Sequence, residues 1–176
     1  MDLKNEFREN DVILVISSME KYQAALSMSL RGVDGISKKI CYFSFTKDGK
    51  SLARLLEKEK IGRGKFIFLQ TVSESEKTEN SFYAGRIEEL TKISLACASV
   101  LSKYKPDCVF NDSLSALFIY VDGNSALRFT IDLIKKTREN ESKIILLASI
   151  DEKNASPIKE LYMYSDKIID LRKGAG

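Results

Sequence analysis

Asp112 closes a short apolar run, Cys108–Phe110, and leads into Ser113-Leu114-Ser115. A carboxylate at the end of a buried strand is a place to hold magnesium. That ion, however, is normally bound by one or two carboxylates together with the phosphates of a substrate. A phosphate would have to be held by another strand-to-helix connection, and one that could do so lies far upstream. There, Ser17-Ser18-Met19-Glu20 joins an apolar run to a segment opening with Lys21-Tyr22. No glycine occurs between Val12 and Arg31. A chain without glycine resists the left-handed backbone that a phosphate-wrapping loop needs. Glu20 adds negative charge beside it. We therefore expect Asp112 to accept hydrogen bonds from the backbone of a Ser113–Ser115 turn, as Asx residues do, and to hold no metal.

The wider inventory narrows the chemistry further. The chain has no histidine, which excludes Ser-His-Asp and Cys-His catalysis and imidazole metal sites. Its three cysteines, Cys41, Cys97 and Cys108, are widely spaced within apolar segments. They read as core residues of a reducing, cytoplasmic compartment, with no disulfide or zinc framework. Net charge is only +3, and Lys and Arg are interspersed with Asp and Glu, so nothing marks a nucleic-acid surface. No apolar run reaches the roughly 18 residues that span a bilayer. The polar start, residues 1–10, has no signal-peptide pattern and is expected to be an N-terminal extension.

The elements that must position these residues follow from periodicity. Val12–Ile16, Ile40–Phe45, Phe66–Leu69, Cys108–Phe110, Ile144–Ser149 and Ile168–Leu171 are apolar on both faces, as strands covered on both sides are. Helical patterns lie between them over Lys21–Arg31, Ser51–Lys60, Arg86–Tyr104 and Ser125–Glu139. Ser156-Pro157 reads as an N-cap with proline at the first position of a short helix. The alternation predicts one α/β domain of three layers around a mostly parallel sheet. Val72–Arg86 is polar and acidic and is expected to be a long loop carrying Phe82 and Tyr83. Those two aromatics either staple the following helix or meet a partner. Phe118-Ile119-Tyr120-Val121 reads equally as a further buried strand or as an apolar patch at a partner surface.

Several segments resemble KaiC-like members of the RecA superfamily. "CVFNDSLSAL" is similar to the Walker B strand of that family. "CYFSFTKDGKSLARLL" is similar to its second strand and following helix. "SALRFTIDLIKKTRENESKIILLAS" and "LYMYSDKIIDL" are similar to its later segments. The resemblance spans roughly residues 11 to 171 and is most specific from Asp112 to Leu117. It implies a RecA-like fold in which the Val12–Ile16 and Cys108–Phe110 strands flank the Ile144–Ser149 strand. It also implies a degenerate nucleotide site made of Ser18, Lys21, Tyr22, Thr46, Asp112 and Ser113. The family's GxxxxGK[ST] loop is missing, and Lys21-Tyr22 stands where its Lys-Ser/Thr pair would be. The family's glutamate pair after the second strand is replaced by Thr46 and Lys47. The expected function is accordingly that of a non-catalytic pseudo-ATPase domain, with no cofactor and no metal. It would act through a protein partner or self-association, with Phe82, Tyr83 and Tyr120 as contact candidates. A nucleotide-binding protein or slow ATPase with a rearranged loop is the alternative. An accessory DNA-binding recombinase paralogue is a third.

Overall fold

A computed structural model describes residues 3–74, 77–151 and 154–172. Seven strands form one sheet: β1 (Val12–Ser17), β2 (Ile40–Ser44), β3 (Phe66–Gln70), β4 (Ser81–Tyr83), β5 (Cys108–Asp112), β6 (Lys143–Ser149) and β7 (Lys167–Asp170). Their order is β4-β3-β2-β5-β6-β1-β7, and every pairing is parallel. The expected separation of β1 from β5 by β6 is therefore present.

Side chains alternate across a strand, so a sheet whose strands are wholly apolar must be covered on both faces. Val12, Leu14, Ile16, Cys41, Phe43, Val109, Ile144 and Leu146 point into one core. Ile13, Val15, Ile40, Tyr42, Cys108, Phe110, Ile145 and Leu147 point into the other. The second core is closed by α1 (Leu3–Glu9), α2 (Tyr22–Asp34) and α3 (Gly49–Lys58) through Phe7, Leu26, Leu30, Leu52 and Leu56. The first is closed by α4 (Leu90–Tyr104), α5 (Leu114–Tyr120), α6 (Gly123–Glu139) and α7 (Ala155–Glu160) through Ile93, Leu101, Leu117, Leu133 and Ile158. The result is the three-layer α/β architecture expected from the alternation. None of the described helices is long and apolar enough to cross a membrane.

Local chemistry sets the helix starts. Asp48 caps α3 by accepting from the Ser51 N–H at 2.8 Å, and Asp122 caps α6 through the Ser125 N–H at 3.0 Å. The helix expected from Arg86 begins only at Leu90. Residues 86–89 instead close a turn in which the Glu89 carboxylate accepts from the Arg86 N–H at 2.8 Å. Asn154, not Ser156, occupies the N-cap of α7, and Pro157 is the third residue of that helix.

Three further segments carry more structure than expected, or a different one. The N-terminal extension contains α1, whose Phe7 is fully buried against α2. Contact there is close: a Cβ at Gly32 would lie 2.7 Å from the Phe7 ring. Lys143 Nζ, at the start of β6, then holds the end of α1 and its link to β1 through the carbonyls of Arg8 and Asn10, both at 3.0 Å. The Val72–Arg86 segment, whose residues 75 and 76 lie outside the described residues, holds the edge strand β4. Phe118-Ile119-Tyr120-Val121 is no strand: its first three residues end α5, and Val121 caps it.

Candidate functional site

The connections set where a cleft can form. Chain leaving β1 and β2 runs to helices on one face, and chain leaving β5 and β6 runs to helices on the other. Adjacent strands β2 and β5 therefore send their connections apart, and so do β6 and β1. Parallel α/β sheets open a crevice at such points, beyond the carboxyl ends of the strands. All six residues of the expected site follow or end β1, β2 or β5 at that edge, but they do not converge on one point.

The β1–α2 connection is a closed turn. The Lys21 N–H donates to the Ser18 carbonyl at 3.2 Å and lies 3.3 Å from the Ser18 hydroxyl, and the Tyr22 N–H donates to the Met19 carbonyl at 3.3 Å. These two amides are thus engaged within the turn and do not face outward as a phosphate cradle would. The Lys21 ammonium donates to the Arg172 carbonyl at 2.8 Å, just beyond β7. Since β7 and β5 lie on opposite sides of β1, Lys21 is directed away from Asp112.

Asp112 is fully buried at the end of β5. Its Oδ2 accepts from the Tyr42 hydroxyl and from Lys47 Nζ, each at 2.7 Å. Its Oδ1 is buried with no hydrogen-bonding protein group. The expected Asx turn onto Ser113–Ser115 is therefore not what holds this side chain. The reason lies in the register. Tyr42 pairs with Phe110 and Ser44 with Asp112, so Tyr42 and Asp112 are diagonal neighbours on one face of the sheet. The β2–α3 connection then folds back on Ser44, whose hydroxyl accepts from the Lys47 N–H at 3.0 Å. That turn brings the Lys47 side chain over the carboxylate. Burial pushes the Asp112 carboxyl up to about 7, pushes Tyr42 well above its ordinary value and lowers Lys47.

The remaining residues frame an open cleft of about 200 Å³ between the start of α2 and α5. Tyr22, Thr46 and Ser113 line it with Ser115 and Ser149, and Met19, Ala116 and Ile119 supply its apolar part. Ser115 Oγ fixes one wall, accepting from the Ser149 N–H at 2.6 Å and donating to its carbonyl at 2.9 Å. The Tyr22 hydroxyl is buried with no protein partner.

A magnesium–nucleotide does not fit these groups. The single carboxylate is already bonded to an ammonium, and the described residues contain no cluster of three or more acidic, cysteine or histidine side chains able to hold a metal. The contact candidates divide. Phe82 is half-buried, 5.4 Å from the Tyr104 ring, and staples β4 to α4. Tyr83 is 51% and Tyr120 62% exposed.

Sequence reasoning missed Tyr42 and the role of Lys47. The available signal was strand parity: aligning Ile40-Cys41-Tyr42 with Cys108-Val109-Phe110 puts Tyr42 and Asp112 on one face.

The fold and this edge define a three-layer α/β protein with an all-parallel sheet, an internally neutralised carboxylate and an uncharged cleft beside it. No family model matches the chain, and no curated protein matches it.

Proposed function

We propose that this chain is a non-catalytic domain, similar to KaiC-like members of the RecA superfamily, that serves as an interaction, regulatory or assembly subunit. The observation that carries the reading is the contact between Lys47 Nζ and Asp112 Oδ2 at 2.7 Å. Lys47 comes from the segment where the resemblance implies a glutamate pair, and it supplies the counter-charge that a metal would otherwise supply. One substitution thus both removes a base and occupies the aspartate. The closed Ser18–Lys21 turn supports the same reading, because a phosphate would meet neither outward amides nor the Lys21 ammonium.

What such a domain retains is surface. Ile119 is 68% exposed and Met19 67% exposed, both on the rim of the cleft, and Tyr120 follows Ile119. Large exposed apolar side chains at one edge are the material of a protein interface. The partner is a second copy or another protein.

Calorimetric titration with Mg-ATP tests the catalytic half of the proposal. The expected result is no saturable heat at dissociation constants below about 1 mM, or roughly −4 kcal/mol. Micromolar binding that is lost in Asp112→Ala would overturn it. Light scattering on the wild type and on Tyr120→Ser and Ile119→Ser tests the interaction half. Self-association that weakens in those variants supports it. A monomer that also captures no partner from its own cell counts against it.

A further inference from the structure

We propose that the amino edge of the sheet, where β3, β2 and β5 begin, binds the phosphate backbone of double-stranded nucleic acid without reading its sequence. This edge is opposite the one that carries Asp112 and the cleft, and the proposal stands or falls separately from the reading above.

Topology is the first argument. Lys38 and Lys39 precede β2, Lys60 and Arg63 precede β3, and Lys105 precedes β5. These five cations are far apart in sequence. The strand order β3-β2-β5 gathers them, because β2 pairs with both neighbours from Ile40 onward. The three connections are also pinned together. Lys65 Nζ donates to the carbonyls of Asp34 at 2.6 Å and Ser37 at 3.2 Å. The Asp107 carboxylate accepts from the N–H groups of Lys38 and Lys39 at 2.7 and 2.9 Å. Neighbouring strands lie about 4.8 Å apart, so the three starts span roughly 10 Å. The two backbones flanking a duplex groove are a similar distance apart, roughly 6 to 12 Å.

Charge is the second argument. All five side chains are exposed, and none forms an ion pair with a described residue. The acids beside them are engaged: Asp107 by the two backbone N–H groups, Asp34 by Lys65 at 2.6 Å and Glu59 by Arg31 at 3.0 Å. That leaves Glu57, exposed on α3, against five cations. The other half of the same edge is neutralised. There Lys143 pairs with Asp11 at 2.9 Å, Arg138 with Asp166 at 3.1 Å and Lys167 with Glu6 at 3.0 Å. Helix C-termini favour cations, which accounts for Lys60 and Lys105 at the ends of α3 and α4. Lys38, Lys39 and Arg63 lie in the connections, where that effect does not account for them.

The third argument is the turn around Arg63, which stands between Gly62 and Gly64. Folding requires neither glycine. Neither has a positive φ, and a Cβ at either would meet no atom within 4 Å. Glycines there keep the backbone bare, so that a phosphate can come close beside the Arg63 guanidinium.

What is missing from this edge selects the partner. None of the large exposed apolar side chains lies in these connections, and Tyr104 is half-buried against the Phe82 ring. The face thus offers no aromatic platform for the bases of a single strand and no apolar anchor for a membrane.

Fluorescence anisotropy with a labelled DNA duplex of about 20 base pairs tests the proposal. The expected dissociation constant at about 50 mM salt is about 10 μM or tighter. Its logarithm should change with that of salt with a slope of about 3 to 4, the release expected from three or four phosphates. A duplex of unrelated sequence should bind within about twofold, and a single strand of the same length more weakly. Lys39→Glu with Arg63→Glu should weaken binding at least about tenfold and lower the slope by about 2. Lys50→Glu with Lys159→Glu makes the same charge change in α3 and α7, away from these connections, and should cost no more than about twofold. Gly62→Ala with Gly64→Ala should weaken binding with the thermal midpoint unchanged or raised. Failure to bind the duplex, equal losses in the two charge-reversed pairs, or tighter binding of the single strand would overturn the proposal. So would binding to phosphatidylserine vesicles that leaves the duplex unbound, which would assign the face to a membrane. None of these outcomes depends on whether Mg-ATP binds or on Tyr120.

Discussion

Two regions lie side by side at the carboxyl edge of this sheet and solve opposite problems. At the end of β5 a charge is buried and sealed: Asp112, Lys47 and Tyr42 meet within hydrogen-bond distance. The cleft next to it is lined by neutral groups and open to solvent, and the Tyr22 hydroxyl beside it is buried and unpaired. The difference shows how a site can lose one chemistry and keep its shape. An ion pair needs its partner to remain stable in a low-dielectric environment, so the sealed region is bound to the fold. Of the cleft lining, Ser115 and Ser149 belong to the fold through their mutual hydrogen bonds, while the exposed rim residues Met19 and Ile119 contribute little to it. Substitutions should therefore fall into two classes, destabilising on the sealed side and nearly neutral at Tyr22 and on the exposed rim of the cleft.

Breaking the ion pair is expected to have the largest effect. Lys47→Ala leaves a buried carboxylate with only the Tyr42 hydroxyl. Denaturant unfolding at pH 8 should show a loss of about 3 kcal/mol. The loss should shrink at pH 5, where Asp112 is protonated and needs no counter-charge. A loss no greater than that of an ordinary surface substitution would mean that Lys47 and Asp112 do not interact.

The wild type should carry a pH signature of its own. The folded-state value of Asp112, about 7, lies above its ordinary value of 3.8, so the native protein binds the extra proton between these limits. Stability from this group is therefore present at low pH and is lost as pH rises through about 7. Between pH 5 and 7.5 the loss should be on the order of 2 kcal/mol. Asp112→Asn should flatten that slope, since its amide oxygen still accepts from Lys47 and Tyr42 but does not titrate. A slope that survives in Asp112→Asn would assign the titration to another group. On the same side, Tyr42→Phe removes one bond to the carboxylate and should cost about 1.5 kcal/mol, read from the shift in the denaturant midpoint.

The sequence disclosed these two regions unequally. Six strands were legible because runs such as Val12–Ile16 and Ile144–Ala148 are apolar at every position, as only a doubly covered parallel strand requires. The separation of β1 from β5, by contrast, followed only from the family resemblance. β4 was not legible: its three residues sit at the sheet edge inside a polar segment, with Phe82 turned inward and Tyr83 outward. The end of α5 was left between a strand and a surface patch because Phe118-Ile119-Tyr120-Val121 is rich in strand-forming residues, and so short an apolar run does not separate the two periods. In the site, Asp112 was visible at the end of its strand. Its partner was not, since Lys47 lies 65 residues away in sequence and reaches the carboxylate only through the β2–β5 register and the turn on Ser44.

The smallest expected effect sharpens the comparison most. Tyr22→Phe, beside the open cleft, removes a buried hydroxyl that no protein group bonds. Ile119→Ser trims a side chain that is already 68% exposed. Each should change the unfolding free energy by no more than about 0.5 kcal/mol, as substitutions away from packed or paired groups do. Tyr22→Phe should even be neutral or slightly stabilising, because an unsatisfied buried hydroxyl is a liability to the fold. The same hydroxyl substitution should thus have opposite consequences in the two regions: costly at Tyr42 and harmless at Tyr22. Thermal midpoints of the two variants, measured side by side at pH 7, decide it. A Tyr22→Phe variant as unstable as Tyr42→Phe would show that the cleft hydroxyl is structural, and the division between a sealed and an open region would fail.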